Sequence, residues 1–229
     1  MLQLERDWNV VQDAPVGPQL YRILRERIIR NDLVPGTRIS EADTAADFNV
    51  SRQPVREAFI KLAEEGLLEI RPQRGTIVRK ISMDAVMDAR FVREAVEAEI
   101  VRLLASKAGP ELVGELRKQL ARQKKAAVGD PLEFMQLDEL FHRTLAEAAG
   151  KSYAWSIVED IKAQMDRVRH LSVQRFPNDA LVRQHMAIVD AIAKGDAAAS
   201  EKAMREHLRS ILNDLPEICR TRPEFFEEG

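Results

Sequence analysis

The chain has 229 residues, 45% hydrophobic and 31% charged, the composition of a soluble globular protein of one large domain or two small ones. No apolar run approaches the ~18 residues of a membrane span, and residues 1–7 lack the basic-then-apolar order of a secretion signal. A single cysteine, Cys219, excludes an internal disulfide and fits a reducing cytoplasm. The net charge of −2 is uneven, because residues 17–80 carry 12 Lys and Arg against 9 Asp and Glu, leaving +3 there and −5 elsewhere. So small an excess gives only weak nonspecific attraction to a polyanion. Specificity for nucleic acid would have to come from placed side chains and from dimerisation.

Residues 1–16 show no periodicity and read as a flexible arm, with Trp8 able to anchor it on a partner subunit. Pro18 suits the first turn of a helix whose apolar face is Leu20, Ile23, Leu24 and Ile28. After the Leu33-Val34-Pro35-Gly36 turn, Ser40 and Asp43 open a short helix that ends at Asn49, a residue tolerant of left-handed backbone. Ser51 then suits an N-cap and Pro54 falls in the first turn. Val55, Ala58, Phe59 and Leu62 recur at helical spacing as a core face. Arg52, Gln53 and Arg56 lie off that face near the helix start, where a helix entering the major groove needs long donors. The same pattern is open to a plainer reading, a solvated basic amphipathic helix. The neighbours decide between them, since two short helices and a tight turn make a helix-turn-helix. Gly66 closes the second helix. Leu67–Ile70 and Thr76–Arg79 then flank Arg71-Pro72-Gln73-Arg74-Gly75 as a basic β-hairpin, a wing for phosphates or the minor groove.

These residues resemble the GntR family of bacterial transcription regulators over about residues 17–80. The likeness is carried by Pro35–Glu41, Val50–Ala58, Glu65–Leu68 and Arg71–Thr76. In that family the positions matching Arg52, Arg56 and the wing around Gly75 face DNA. With the donors read from the sequence, the candidate DNA-contacting set is Ser51, Arg52, Gln53, Arg56, Arg74 and Gly75. Thr44 departs from the family's usual core leucine, which weakens the expected packing of its helix.

From Ser82 onward only helix punctuation recurs. Helices are expected from Met83 to Ala108, from Pro110, from Pro131 to Gly150, from Ser152 towards Arg175, after Pro177-Asn178 to Gly195, and from the Asp196 cap to Pro216. Six helices in ~135 residues with short connections imply an antiparallel bundle. The expected fold is thus mainly α: a winged helix-turn-helix at 17–80, an all-α effector-binding and dimerisation domain at 81–220, and a tail at 221–229.

Of four histidines, three lie on different expected helices, and His142 follows Asp138 by one turn on the same face. Asp138, His142, His185 and His207 could therefore meet inside the bundle. One carboxylate and three neutral imidazoles suit a divalent ion such as Zn²⁺, Ni²⁺ or Mn²⁺. Spacing alone leaves open that each histidine is an ordinary core or surface residue. Asp138–His142, Gln184–Ile192, Gly195-Asp196 and Met204–Leu208 resemble the FCD ligand-binding domain, which accompanies winged helices in the FadR-type branch of the GntR family. In metal-binding members the positions matching Asp138, His142, His185 and His207 hold the ion, while His170 matches no ligand and reads as structural. The resemblance also implies a small carboxylate effector held by the ion and an arginine matching Arg93, with Arg90, Arg167 and Arg169 as further candidates. A surface pair between Arg93 and Glu97 is the alternative.

The expected function is a cytoplasmic, homodimeric regulator that reads a palindromic operator and is released as a repressor by a sugar acid, hydroxy acid or dicarboxylate. Two other classes stay open. One is a sensor whose signal is the metal itself. The other is a metal-dependent hydrolase or lyase, against which stands the lack of a placed general base or nucleophile motif.

Overall fold

The computed structural model describes residues 8–11, 13–71 and 75–228. The chain divides into two compact units, one of Met1–Ile81 with Glu224–Gly229 and one of Ser82–Pro223.

In the first unit, α1 (Val16–Ile29) packs on α3 (Arg52–Glu64), with α2 (Glu41–Asp47) between them in sequence. Leu20, Leu24 and Ile28 of α1 and Val55, Phe59 and Leu62 of α3 are buried on the helical spacing that the sequence shows. Burying a side chain the size of Phe59 contributes about 2–3 kcal/mol. Ser40 caps α2 by accepting from the Asp43 amide at 3.0 Å, and Asn49, at φ 51°, makes the left-handed turn into α3. Thr44 is buried on α2 although it is not the usual leucine. Ser51 has the extended N-cap backbone of α3, but its hydroxyl accepts no capping bond, a departure from the expected role.

Leu68–Arg71 (β2) pairs antiparallel with Gly75–Val78 (β3), with Arg71 opposite Gly75. A third strand, β1 (Arg38–Ile39), joins the other edge of β3, giving the order β1-β3-β2. Two residues are too few to show alternation, so the sequence carried no sign of β1. The arm is laid on its own chain from Trp8 onward. Gln19 bonds both the amide and carbonyl of Val11 at 2.9 Å, and the Arg30 guanidinium lies 5.6 Å from the Trp8 ring.

The second unit is all helical among the described residues. It comprises α4 (Met83–Ala105), α5 (Pro110–Ala126), α6 (Pro131–Ala148), α7 (Ser152–Ile161), α8 (Ala163–Arg175), α9 (Asp179–Ala193), α10 (Ala197–Arg209) and α11 (Ile211–Thr221). Ser82, Asp130 and Asp196 cap α4, α6 and α10 through their side chains. α4 is the central helix, in contact with each of α6 to α10. Its Val101 and Leu104 share one core with Phe141, Leu145, Ile188 and Met204.

Two expected helix boundaries are corrected. The helix expected from Ser152 to Arg175 is broken at Lys162, whose ammonium turns inward to Glu139 at 2.9 Å and Asp166 at 2.5 Å. The helix expected to stop at Pro216 instead ends at Arg209, where Ser210 begins α11 and Pro216 lies within it. Neither break carries glycine or proline.

Candidate metal centre and nucleic-acid interface

On α3 the apolar residues face α1, which leaves Ser51, Arg52, Gln53 and Arg56 exposed at its N-terminal end. Arg56 makes a bidentate pair with Glu41 of α2, both bonds at 3.0 Å, and Arg52 approaches the same carboxylate at 3.5 Å. The hydrogen bonds from Arg56 hold the Glu41 carboxyl below its ordinary range. Glu41 thus lies between both guanidiniums, a neighbour that sequence reading did not assign. Gln53 donates to Glu57 at 3.0 Å. Gly75, at φ 88°, opens β3 in a conformation that favours glycine. Arg74 and the rest of the wing turn lie outside the described residues.

Inside the second unit, α6, α9 and α10 bring one ligand atom each of Asp138, His142, His185 and His207 within 4.8 Å of one another, all four residues buried. Each imidazole is held from behind at Nδ1. His142 Nδ1 bonds Glu97 of α4, His185 Nδ1 bonds Gln123 Oε1 of α5 at 2.7 Å, and His207 Nδ1 bonds Gln184 Oε1 of α9 at 3.0 Å. The Gln123 amide is oriented by donating its Nε2 to the Leu137 carbonyl at 3.0 Å, so its oxygen faces His185. All three partners are acceptors, so each ring presents an N–H at Nδ1 and turns Nε2 towards the other rings.

The Nε2 atoms converge. His207 Nε2 stands 3.1 Å from His185 Nε2 and 3.2 Å from His142 Nε2. Asp138 adds oxygens 3.6 Å from His185 Nε2 and 3.9 Å from His142 Nε2. Burial pushes His185 down to about 3 and His207 well below its ordinary value, so these rings stay neutral. Burial also opposes charge on Asp138, but the Arg169 guanidinium paired with it outweighs burial and holds the carboxyl well below its usual range. Facing lone pairs around a carboxylate repel one another unless a cation lies between them. A tetrahedral ion with bonds of ~2.0–2.1 Å sets its ligand atoms ~3.3 Å apart, close to the nitrogen spacing here. The donor set therefore fits a divalent metal.

A cavity lies against this cluster, lined by His207, Arg93, Arg169, Ser172, Ser210 and Asp214 among apolar neighbours. The Arg93–Glu97 pair is formed, but it is buried rather than on the surface. Arg93 gives Nε to Glu97 and keeps a buried Nη2 without a partner. Arg169 pairs with Asp138. Arg90 does not line the cavity and binds Glu94 at 2.6 Å, a carboxylate also held by Arg205 and Arg209. Arg167 is fully buried, bonds Gln164 at 3.3 Å, and is pushed down to about 10 by that burial. His170 bonds Gln174 at 2.7 Å and stands outside the cluster.

Glu97 is a carboxylate beside the cluster that the sequence placed only as a surface partner. Burial opposes its charge, yet Arg93 and His142 hold it at about 2, and both its oxygens are engaged. It is a fixed anion, ill suited to moving protons.

Residues 17–78 match the family described as "Bacterial regulatory proteins, gntR family", and residues 88–210 match the FCD domain. The chain is 43% identical to the "HTH-type transcriptional repressor RspR" of Escherichia coli (strain K12), covering 99% of this chain and 100% of the relative. It is 30% identical to the "Probable D-xylose utilization operon transcriptional repressor" of Paenarthrobacter nicotinovorans, over 86% of this chain and 87% of that one. Among solved structures, E. coli McbR/YncC has a TM-score of 0.76 at 18% identity, covering 89% of this chain and 98% of that one. That is a likeness of fold.

Proposed function

The chain belongs to the gntR family of bacterial regulatory proteins, carries an FCD domain and is a transcription regulator rather than an enzyme; we propose that it is a repressor released by a small carboxylate bound at a divalent metal. The observation that carries this reading is the convergence of three imidazole nitrogens and Asp138 beside a cavity that also holds the free Nη2 of Arg93.

Asp138, His142, His185 and His207 would hold the ion, Zn²⁺ or Ni²⁺ with Mn²⁺ as a third choice, and the ion would supply a Lewis-acid contact for a carboxylate. Arg93 and Arg169 line the same cavity and supply guanidinium donors for the acid. Ser172, Ser210 and Asp214 add hydroxyl and carboxylate partners suited to the hydroxyls of a sugar acid or hydroxy acid. The relative named for a D-xylose utilization operon is in keeping with a sugar-derived effector.

At the other unit, Arg52, Gln53 and Arg56, with Ser51 and the wing at Arg74 and Gly75, would contact operator DNA. The Glu41 carboxylate would give up the arginines to base edges or phosphates. A second copy of the chain would supply the other half-site of a palindrome. Phe91 and Met87 on α4, and Tyr153, Ile157 and Ile161 at turn spacing on the adjoining α7, are exposed apolar side chains suited to that dimer. The protein would act in the cytoplasm, where its operator is.

A metal sensor is the second reading, favoured by the burial of all four donors. Thermal shift of chelator-stripped and Zn²⁺-loaded protein against sugar acids, hydroxy acids and dicarboxylates separates the two. The proposal expects a rise with one class of acid only when metal is loaded. A rise with metal and none with any acid overturns it in favour of the sensor.

A further inference from the structure

The last residues of the chain do not end with the bundle. After α11 the chain makes a single 3-10 turn, Pro223–Phe225, and from Glu224 onward it is part of the first unit. There the Ile81 amide donates to the Phe225 carbonyl at 2.8 Å and the Glu227 amide to the Ile81 carbonyl at 3.0 Å, a parallel bridge centred on Phe226. Phe225 and Phe226 are both buried, at 7% and 6% exposure, and Glu227 pairs with Arg79 at 3.1 Å. Arg79 directly follows β3, the wing strand, and its amide bonds the Leu67 carbonyl at 3.0 Å.

The polypeptide therefore crosses between the units twice, at Ile81-Ser82 and at Pro223-Glu224. The two crossings meet on the first unit, because the returning segment is bonded to the residue from which the chain departs. A mere tail would leave two adjacent phenylalanines in water, whereas both are buried here. The helix leading into the second crossing is also not neutral, since α11 lines the cavity through Ile211 and Asp214, and Asp214 accepts from Ser172 of α8.

We propose that Glu224–Glu228 is a strap, a second tether that carries the position of α11 to the exit strand of the winged helix and limits that unit's freedom on the bundle. A ligand entering the cavity shifts the helix whose continuation holds the DNA-binding unit. Operator affinity then depends on strap length, because a slack tether dilutes the second winged helix of a dimer around its half-site.

The inference rests on the operator-binding reading, and its test keeps the two apart. An operator is first selected from random duplexes with the unaltered full chain; failure there would sink the regulator reading itself. Two altered proteins follow: one lacking residues 224–229, and one otherwise complete with a short Gly-Ser insertion between Pro223 and Glu224, which leaves the segment seated and only slackens it. The slack protein should melt like the parent and bind Zn²⁺ equally, yet lose about tenfold or more in operator affinity, with the truncated protein losing at least as much. A slack protein that binds operator like the parent overturns the strap, whatever the truncation does. Amide exchange of Ile81 and Glu227 in the unaltered chain should be at least tenfold slower than in free peptide, and free-peptide rates at both would also overturn it.

Discussion

His207 shows how much of the site depends on residues one step removed from it. Its Nδ1 is held by Gln184, a half-exposed glutamine one position before His185 on α9. Replacing Gln184 with alanine releases the ring without opening the core. Metal affinity should fall about 10–100-fold by calorimetric titration of Zn²⁺, with the melting point of the stripped protein unchanged. An unchanged affinity would mean that the rings are oriented by packing alone. The buried histidines also make a pH prediction. The unfolded chain takes up a proton at each histidine below 6.5, while folded His185, held near 3 by burial, does not. The unfolded state therefore binds more protons between these values, and stability is lost as pH falls from 6.5 towards 3, by about 1.4 kcal/mol per pH unit per histidine. His207 is depressed in the same direction and adds to the slope. Urea midpoints in chelator at pH 7.5, 6 and 5 should fall in that order, and a flat series would contradict the burial argument. The four donors were legible in the sequence because Asp138 and His142 share a turn and the others fall at matching positions of a resembled domain. Gln123 was not legible, since it lies 62 positions from the ring it orients and nothing local marks it.

Among the elements, the winged helix was readable because each piece has its own chemical mark: Ser40 as cap, Asn49 and Gly66 at positive φ, and the Val55-to-Leu62 stripe. The bundle's helices were readable wherever glycine, proline or a capping aspartate stood between them. They failed at Lys162, which reaches across to Glu139 of α6, and at Ser210, whose hydroxyl turns back to the His207 carbonyl. Lys162 joins α7 and α8 to α6 through Asp166 and Glu139. Burial opposes the charge of Asp166, and Lys162 and Arg169 hold it ionised. Lys162→Met would strand part of that charge, so unfolding in denaturant should lose about 3 kcal/mol. A loss within about 0.5 kcal/mol would show that Arg169 alone compensates Asp166.

At the scale of the whole molecule, the winged helix followed by a helical bundle was readable from local marks, whereas the grouping of Glu224–Gly229 with the first unit was not. Phe225 and Phe226 lie beyond the last expected helix, and their partner Ile81 is 145 residues away from Phe226. The central claim joins the two parts: an acid held at the Asp138, His142, His185 and His207 cluster weakens the grip of Arg52 and Arg56 on DNA. By linkage, acid and operator must oppose each other by the same factor. The most direct measurement is operator affinity of the full chain, by fluorescence anisotropy, with and without the stabilising acid, in chelator-stripped and Zn²⁺-loaded protein. The account predicts a loss of about 5–150-fold with acid in the loaded protein and none in the stripped one. An equal loss in both, or no loss in either, would contradict it.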